Sequence, residues 1–309
     1  MAAFHPPAAT AFLDRFYIGD LDETVYPKGF YANKKDPKEQ KHFEAGYRAL
    51  RSKLIAGGYF ESNKLFYVWK VVSNLLIASA SIYCAVSTDS LAVNVLGACL
   101  MALFWQQCGW LAHDFLHHQV FKTRAYGDMM GVVIGNFFQG FSVHWWKQKH
   151  NAHHAVPNLH ASSADARDGD PDIDTMPLLA WTTKMASFGK DDPSSRWFIS
   201  WQKVFYFPIL FFARLSWANE SVKMVFGAAT KGATNEDKGS MQYPVLEQIG
   251  LGLHYAALGT VLYNMPGGPL HAALFFLLAQ TISGLLLAVV FGLGHNGMAG
   301  TNDSTIALC

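Results

Sequence analysis

Four long apolar segments constrain the fold of this 309-residue chain more than any other feature of its sequence. Each approaches the roughly 20 residues that an α-helix needs to cross the hydrocarbon core of a bilayer. The segments are about Leu65–Val86, Leu91–Phe115, Leu246–Leu262 and Leu270–Leu293. Only short turns, S-T-D-S and Y-N-M-P-G-G-P, separate the two members of each pair. The sequence therefore predicts an all-α integral membrane protein whose four transmembrane helices form two hairpins.

The composition agrees with a membrane protein and excludes other classes. Hydrophobic residues make up 51% of the chain and charged residues only 15%, which is too apolar for an ordinary soluble domain of this length. The net charge is +1 and no run of Lys and Arg is present, so nucleic acid is not an expected partner. The four cysteines form no spacing typical of a disulfide framework, because three lie in apolar segments and one is the last residue.

Two shorter apolar segments between the hairpins are not predicted to cross the membrane. Met129–Val143 is too short. The aromatic segment Trp197–Trp217 contains Lys203, Arg214 and a central Pro208. We expect this second segment to lie flat in the interface, with its Trp and Tyr side chains at the depth of the headgroups.

The distribution of positive charge predicts the orientation. Both hairpin turns lack Lys and Arg, whereas nine of these residues lie between positions 28 and 64, just before the first span. They are Lys28, Lys34, Lys35, Lys38, Lys41, Arg48, Arg51, Lys53 and Lys64. The N-terminus is therefore expected in the cytoplasm. With two crossings per hairpin, the region from Asp114 to about Tyr243 and the end of the fourth span face the cytoplasm too.

Two histidine clusters lie where apolar segments end, in "AHDFLHHQVF" (112–121) and "KHNAHHA" (149–155). The first contains His113, His117 and His118, and the second contains His150, His153 and His154. On a helix, residues spaced by three or four lie on one face, so each cluster can present two or three imidazoles to one point. The topology places both clusters in a helical cap on the cytoplasmic side.

This pattern predicts a metal site. Imidazole is a ligand for zinc, copper and iron, and six imidazoles without a nearby cysteine exceed what one tetrahedral zinc ion uses. The pattern lacks the glutamate of H-E-x-x-H, so zinc-peptidase chemistry has little support. His295, at the end of the fourth span, is a further candidate ligand, directly or through Asn296 and a water molecule.

Other histidines and the aspartates near the clusters are weaker candidates for a role in the metal site. His144 and His160 are most simply read as non-ligands, and single histidines at the membrane border such as His254 and His271 as packed residues. Carboxylates could orient the imidazole rings from behind, although a solvated loop is the more ordinary role for most of them. The candidates are Asp114, Asp165, Asp168, Asp170 and Asp172.

The motifs "HDFLHH" and "HNAHH" resemble the first two histidine boxes of the membrane fatty-acyl desaturases. Their surroundings, "GWLAHDFLHHQVF" and "HNAHHAVPNLH", resemble the front-end group, which carries an N-terminal cytochrome b5 domain, and within it the Δ6 acyl desaturases. The resemblance covers about residues 60–298. The start of the chain, "AFHPPAATAFLDRFYIGDL", is similar to the closing part of that b5 domain, and the similarity makes His5 a haem ligand.

The resemblance implies O2-dependent desaturation of a polyunsaturated fatty-acyl chain at two iron ions held by eight or nine histidines. It implies electrons from NADH through cytochrome b5 reductase and haem b, and a multi-pass protein of the endoplasmic reticulum. The ligands would include His113, His117, His118, His150, His153, His154 and His295. The H-P-G-G and Q-x-x-H-H motifs of the family do not occur in the sequence, so the chain is expected to be a fragment that is inactive by itself.

The resemblance also implies a division of the chain and a path for the substrate. Residues 1–20 are expected to be a remnant of the b5 domain, 21–64 a cytoplasmic linker, and 65–309 an incomplete desaturase domain. A hydrophobic tunnel would hold the acyl chain with one carbon near the metals and water excluded. Candidate wall residues are Trp105, Trp110, Phe137, Phe138, Trp145 and Trp146.

Several alternatives stay open at this point. Lipid hydroxylases and sterol or alkane oxygenases also surround two metals with histidine boxes at membrane ends. A non-catalytic membrane module or inactive fragment is a different class of answer, and iron content separates it from an oxidase. Within the desaturases, Δ5, Δ8 or Δ4 positions and a phospholipid or CoA carrier are equally open.

Overall fold

The computed structural model describes residues 37–161, 168–227 and 241–295, and the side chains of these ranges from residue 42 to residue 293. His5, Asp165 and Asn296 lie outside the described residues. The described ranges are helical and contain no β-strand, which confirms the predicted all-α class. By its contacts the chain divides into residues 1–53 and 54–309. The described part of the first unit belongs to helix α1, which runs over Pro37–Ala56.

The four predicted spans are present as two helical hairpins. Helices α2 (Lys64–Val86) and α3 (Leu91–Leu116) form the first, and α9 (Pro244–Tyr263) and α10 (Gly268–His295) the second. All four are long and apolar enough to cross a membrane. Capping fixes where they begin: the side chain of Asn63 accepts the Phe66 N–H ahead of α2. Pro244 begins α9, where its missing N–H has no cost.

Helix α3 is the central span. It packs against α2, α10 and the helices that follow it, and it contributes Trp105 and Phe115 to the buried core. Helix α2 is different, because its large side chains such as Leu65, Trp69 and Leu76 are mostly exposed. A bilayer would cover this apolar surface, so α2 is suited to a position at the lipid boundary.

Between the hairpins the chain folds back on the end of α3 through three short helices. Helix α4 (Arg124–Gly131) continues into a π-helical segment, π1 (Val132–Gln139). Gly140 ends π1 with a φ of 89°, a left-handed conformation that glycine adopts without a steric penalty. Ser142 then caps helix α5 (Val143–Ala155) by accepting the Trp145 N–H.

Three further helices, α6 (Thr183–Phe188), α7 (Pro193–Leu210) and α8 (Ala213–Phe226), lead to the second hairpin. The predicted aromatic segment is thus two helices, and neither is among the four candidate spans, as expected. Helix α7 exposes Trp197 and Trp201. Arg214 differs from the expectation of a flat interfacial position, because its side chain is buried between the spans and only 3% exposed.

Candidate metal centre

Four histidines from two helices meet at the end of α3. His113 and His117 come from α3 and the residue after it, and His150 and His154 come from α5. One ring nitrogen from each lies within 4.8 Å of those of the other three. The two Nε2 atoms of His150 and His154 are 3.1 Å apart. These four residues are called the inner histidines below.

The helical spacing of each pair explains how the four imidazoles converge. His113 and His117 are four residues apart and their ring centroids are separated by 4.4 Å. His150 and His154 have the same spacing and a separation of 4.6 Å. The pairs face each other, with 5.0 Å between the rings of His113 and His150 and 4.8 Å between those of His117 and His154. These four residues therefore bring the two clusters together at one point.

Trp146 forms an apolar wall for the inner histidines. Its ring stacks on His150 at 4.5 Å, and its centroid is 5.7 Å from those of both His113 and His117. Both Trp146 and His150 are 6% exposed. An apolar surface on this side limits access of water to the ring nitrogens and lowers the local dielectric constant.

Burial keeps His117 and His154 in the neutral form that binds metals. Burial, followed by the neighbouring His113, His150 and His154, lowers the pKa of His117 to about 3. Burial and the charge of His150 lower the pKa of His154 to about 4. Their lone pairs are therefore available at neutral pH. The Nε2 atom of His117 is buried and has no hydrogen-bond partner among the described residues, as a ligand atom would in the absence of its metal.

The third histidine of each cluster turns toward an aspartate. His118 follows the end of α3 in a left-handed conformation, with a φ of 57°, and its Nε2 lies 2.9 Å from Asp128 Oδ1. His153 Nδ1 lies 2.8 Å from Asp170 Oδ2. Helical spacing alone therefore does not describe where His118 and His153 point, because each contacts an aspartate and neither belongs to the group of four inner histidines. These two residues are called the outer histidines.

The two aspartates are themselves held by other groups. Lys147 also contacts Asp128, and the hydrogen bonds from Lys147 and His118 lower the pKa of the carboxyl even though burial opposes them. Asp170 accepts the backbone N–H groups of Asn158 and Asp172, at 2.7 and 2.8 Å. Burial favours neutral His153, but the hydrogen bond and charge of Asp170 raise its pKa overall. Carboxylates that orient histidines in this way are typical of metal centres.

Contacts with a clustered histidine are present for three of the aspartates considered in the sequence. Asp114 lies 3.1 Å from His113 Nδ1 and accepts a hydrogen bond from Tyr67, and Asp172 lies 3.7 Å from His150 Nδ1. Asp170 is the third, and Asp168 belongs to neither of the two groups of candidate ligands. Sequence reasoning missed Asp128, because its contact depends on the left-handed turn at His118, which no spacing rule indicates.

The remaining predicted site residues are less informative. His295 is the last residue of α10, and its side chain lies outside the described residues, as does His5. His254 and His271 form hydrogen bonds to Phe137 O and Asn94 Oδ1, which is consistent with their expected packing roles. His160 is buried and has no hydrogen-bond partner among the described residues.

The predicted wall residues have different environments. Trp146 contacts the inner histidines, and Trp110 lies 6.1 Å from His113. Trp105 lies under the guanidinium of Arg214, 3.6 Å from it, deep between the spans. Phe138 lines an apolar cavity of about 10 Å³ between α2, α3 and π1. Such a volume is about that of one water-sized probe, so the spans pack closely here.

The donor set fits iron. It consists of nitrogen ligands backed by carboxylates, and none of the described cysteines belongs to it. Nitrogen donors of this kind also bind zinc and copper, so the donor set alone defines a transition-metal site.

Comparison with known proteins identifies the chain's relatives. The family model described as fatty acid desaturase matches residues 90–307. The acyl-lipid (9-3)-desaturase of Physcomitrium patens is 37% identical over 98% of this chain and 53% of its own length. The Delta(6)-fatty-acid desaturase fat-3 of Caenorhabditis elegans is 34% identical over 84% of this chain and 56% of its own.

The Delta(8)-fatty-acid desaturase of Euglena gracilis is likewise 34% identical, over 81% of this chain and 56% of its own length. The chain therefore spans about half the length of the curated relatives it matches. No solved structure matches it. The family model and these relatives confirm the resemblance to front-end desaturases, and the chain belongs to the fatty acid desaturase family.

Proposed function

We propose that the chain forms the membrane core of a front-end desaturase, which introduces a double bond of the Δ6 type into a polyunsaturated fatty-acyl chain with O2. The convergence of the four inner histidines carries this proposal, because it places a nitrogen-rich site for metal at the end of a membrane span. The names of the relatives support the reaction type, and the name of the Caenorhabditis elegans relative specifies Δ6.

The inner histidines would hold one metal ion, and the outer histidines would contribute to a second. His118 contacts Asp128 through Nε2, and His153 contacts Asp170 through Nδ1. His295 would be a further ligand, because it ends α10, the span that packs against α3. When bound, two iron ions would supply the oxidising power for removal of two hydrogens from neighbouring methylenes, with O2 reduced to water by these and two further electrons and protons.

The protein residues have three tasks in this mechanism. His117 and His154 stay neutral at physiological pH because burial lowers their pKa. Asp114, Asp128 and Asp170 fix the orientation of the rings that they contact. Trp146 excludes water on one side, which protects a reactive centre from side reactions. An acyl chain would reach the site along the apolar interior of the spans, with the predicted wall aromatics beside it.

Electron supply and location complete the proposal. Electrons would come from NADH through cytochrome b5 reductase and a haem b, with His5 as one haem ligand. Residues 1–20 would close the b5 domain, 21–64 would link it, and 65–309 would belong to the desaturase domain. The protein would span the membrane of the endoplasmic reticulum with the metal centre in the cytoplasm, as the Lys and Arg residues before α2 favour.

Metal content tests the site. The 309-residue chain, purified in detergent after expression with added iron, should contain iron, and His150→Asn should lose most of it because an inner ligand is removed. His42→Asn is the matched control, since His42 is exposed on α1. An iron-free wild-type chain that is folded by circular dichroism would instead favour the non-catalytic membrane module.

Product analysis tests the reaction. The complete coding sequence from the source transcript should be expressed in yeast fed with polyunsaturated fatty acids, and the methyl esters analysed by mass spectrometry. A new double bond at Δ6 is expected, on the carboxyl side of an existing one. An added hydroxyl group would contradict desaturation and favour the lipid hydroxylases. The 309-residue chain, expressed in parallel, is expected to give no product.

A further inference from the structure

The turn that leads from π1 into α5 is held by buried side chains from α8 and α9. Arg214 Nη2 donates a hydrogen bond to the Gln139 carbonyl oxygen at 2.6 Å, and His254 Nδ1 lies 2.9 Å from the Phe137 carbonyl oxygen. Both side chains are at most 5% exposed. They act on the last turn of π1, three and five residues before the N-cap of α5.

A carboxylate binds the residues that follow. Glu247 lies in the first turn of α9 and is 2% exposed. The hydroxyl of Ser142 donates to its Oε2 at 2.6 Å, and the backbone N–H of His144 donates to its Oε1 at 3.1 Å. The backbone N–H of Ser142 donates to Ser221 Oγ on α8, at 2.8 Å. The N-terminus of α5 is thus attached to two other helices.

This arrangement is more than a local helix cap. The first N–H groups of a helix have no partner within it, and a residue just before the helix usually satisfies them. Here a residue 103 positions away in sequence accepts the N–H of His144. A buried carboxylate is costly unless hydrogen bonds satisfy it. The start of α5 supplies the hydrogen bonds that satisfy both carboxyl oxygens of Glu247.

The position of α5 sets the geometry of the metal centre. His150 and His154 lie six and ten residues after His144 on the same helix, about 9 and 15 Å along its axis. Their partners His113 and His117 belong to α3 instead. A small displacement at the start of α5 therefore moves one pair of inner histidines relative to the other. Metal sites need their ligands within about 0.5 Å of the productive geometry.

We propose that Glu247 is a positioning residue for the metal centre: it fixes α5 to α9 so that His150 and His154 meet the histidines of α3. No spacing in the sequence connects Glu247 with the histidine clusters. The inference rests on the proposed metal site, and it adds a requirement from the second hairpin, which contributes none of the inner histidines.

Cobalt binding to the 309-residue chain in detergent tests the proposal. Co²⁺ is a spectroscopic probe whose visible absorption reports the ligand geometry. Glu247→Leu removes both acceptor atoms at similar size, and it should weaken Co²⁺ binding by about 10–100-fold, as the loss of outer partners does at other centres. The absorption spectrum should also change. Glu247→Gln retains one acceptor oxygen, so its Co²⁺ affinity should lie between those of wild type and Glu247→Leu.

Two further variants separate positioning from general stability. Glu61→Leu is the matched control, because Glu61 is exposed and its pair with Lys122 is long at 3.9 Å. Glu247→Leu combined with Ser142→Asp restores a carboxylate at the start of α5 without the attachment to α9. Positioning predicts recovered helicity by circular dichroism but no recovery of Co²⁺ affinity.

The outcomes distinguish this inference from the proposed function. If the wild-type chain binds no Co²⁺, the result contradicts both the proposed metal site and the role proposed for Glu247. If wild type binds and Glu247→Leu binds equally well with the same spectrum, the inference alone is overturned. Recovery of affinity in the double variant also overturns it, because local capping would then suffice. Should Glu247→Leu not fold, weakened binding by folded Glu247→Gln supports the inference, and wild-type binding by that variant contradicts it.

Discussion

The two histidine clusters have the same composition, but different interactions hold them in place. Each contributes two inner histidines, four residues apart, and one outer histidine that turns to an aspartate. The first cluster ends a 26-residue membrane span, so the bilayer and the packing of α3 determine where it lies. The second is on a 13-residue helix that follows a π-helical segment and a left-handed glycine. Its place depends on buried polar contacts with α8 and α9.

This difference indicates how a two-part site can be built at a membrane surface. Hydrophobic burial is non-directional, so it sets the depth of α3 but specifies little about a short helix outside the bilayer. Hydrogen bonds are directional, and a buried donor or acceptor that lacks a partner lowers the stability of the fold. The second cluster therefore depends on specific contacts, and single polar substitutions should affect it more than the first.

The strongest test compares inner and outer histidines within the first cluster. His117→Asn should weaken binding of the first equivalent of Co²⁺ by more than about 100-fold, the upper end for loss of an outer partner, because it removes a ligand. His118→Asn should leave that equivalent within about 10-fold of wild type and affect only a second equivalent. Titration of the purified chain, followed by visible absorption, measures both. Equal losses in the two variants would contradict the assignment of inner and outer roles.

A second test compares the aspartates behind the two outer histidines. Asp170→Asn should lower the free energy of unfolding by ~2–3 kcal/mol, because a fully buried carboxylate that accepts two backbone N–H groups is replaced by an amide with a single acceptor oxygen. Asp128→Asn should lower the free energy of unfolding by only about 1 kcal/mol. Its contacts are the side chains of His118 and Lys147, and each of these is still about a quarter exposed to solvent.

Urea titration in detergent, monitored by tryptophan fluorescence, measures the two changes. Asp174→Asn is a control on the same loop as Asp170, outside both groups of candidate ligands. If Asp128→Asn proved the more destabilising variant, the second cluster would not be the one that depends on specific polar contacts.

The sequence predicted the spans to within two residues at nearly every end, because bilayer thickness and apolar length are directly related. It also predicted the inner histidines, because a spacing of four is local geometry. It could not predict the turn of His118 to Asp128, nor the attachment of Ser142 to Glu247, 105 residues away. Arg214 was treated as an interfacial charge, yet its place between the spans depends on Trp105, Gln139 and Gln280 in three other elements.

His160 gives the smallest expected effect and tests whether a histidine just beyond the second cluster differs from its members. It is 5% exposed and has no hydrogen-bond partner among the described residues. Burial, and then the charge of Lys184, lowers its pKa in the folded protein. The unfolded chain binds a proton near pH 6.5, so below that pH the unfolded state holds more protons and stability falls as pH falls.

His160→Phe keeps the ring and loses no hydrogen bond, so at pH 7 its thermal midpoint should equal or exceed that of wild type. Between pH 7 and about pH 5.5, in the presence of a chelator, its midpoint should fall less than that of wild type. His117 and His154 also resist protonation, but they are common to both proteins and their contribution cancels in the comparison. Equal falls would mean that His160 accepts a proton in the folded state as readily as in the unfolded chain, and that its burial has no electrostatic consequence.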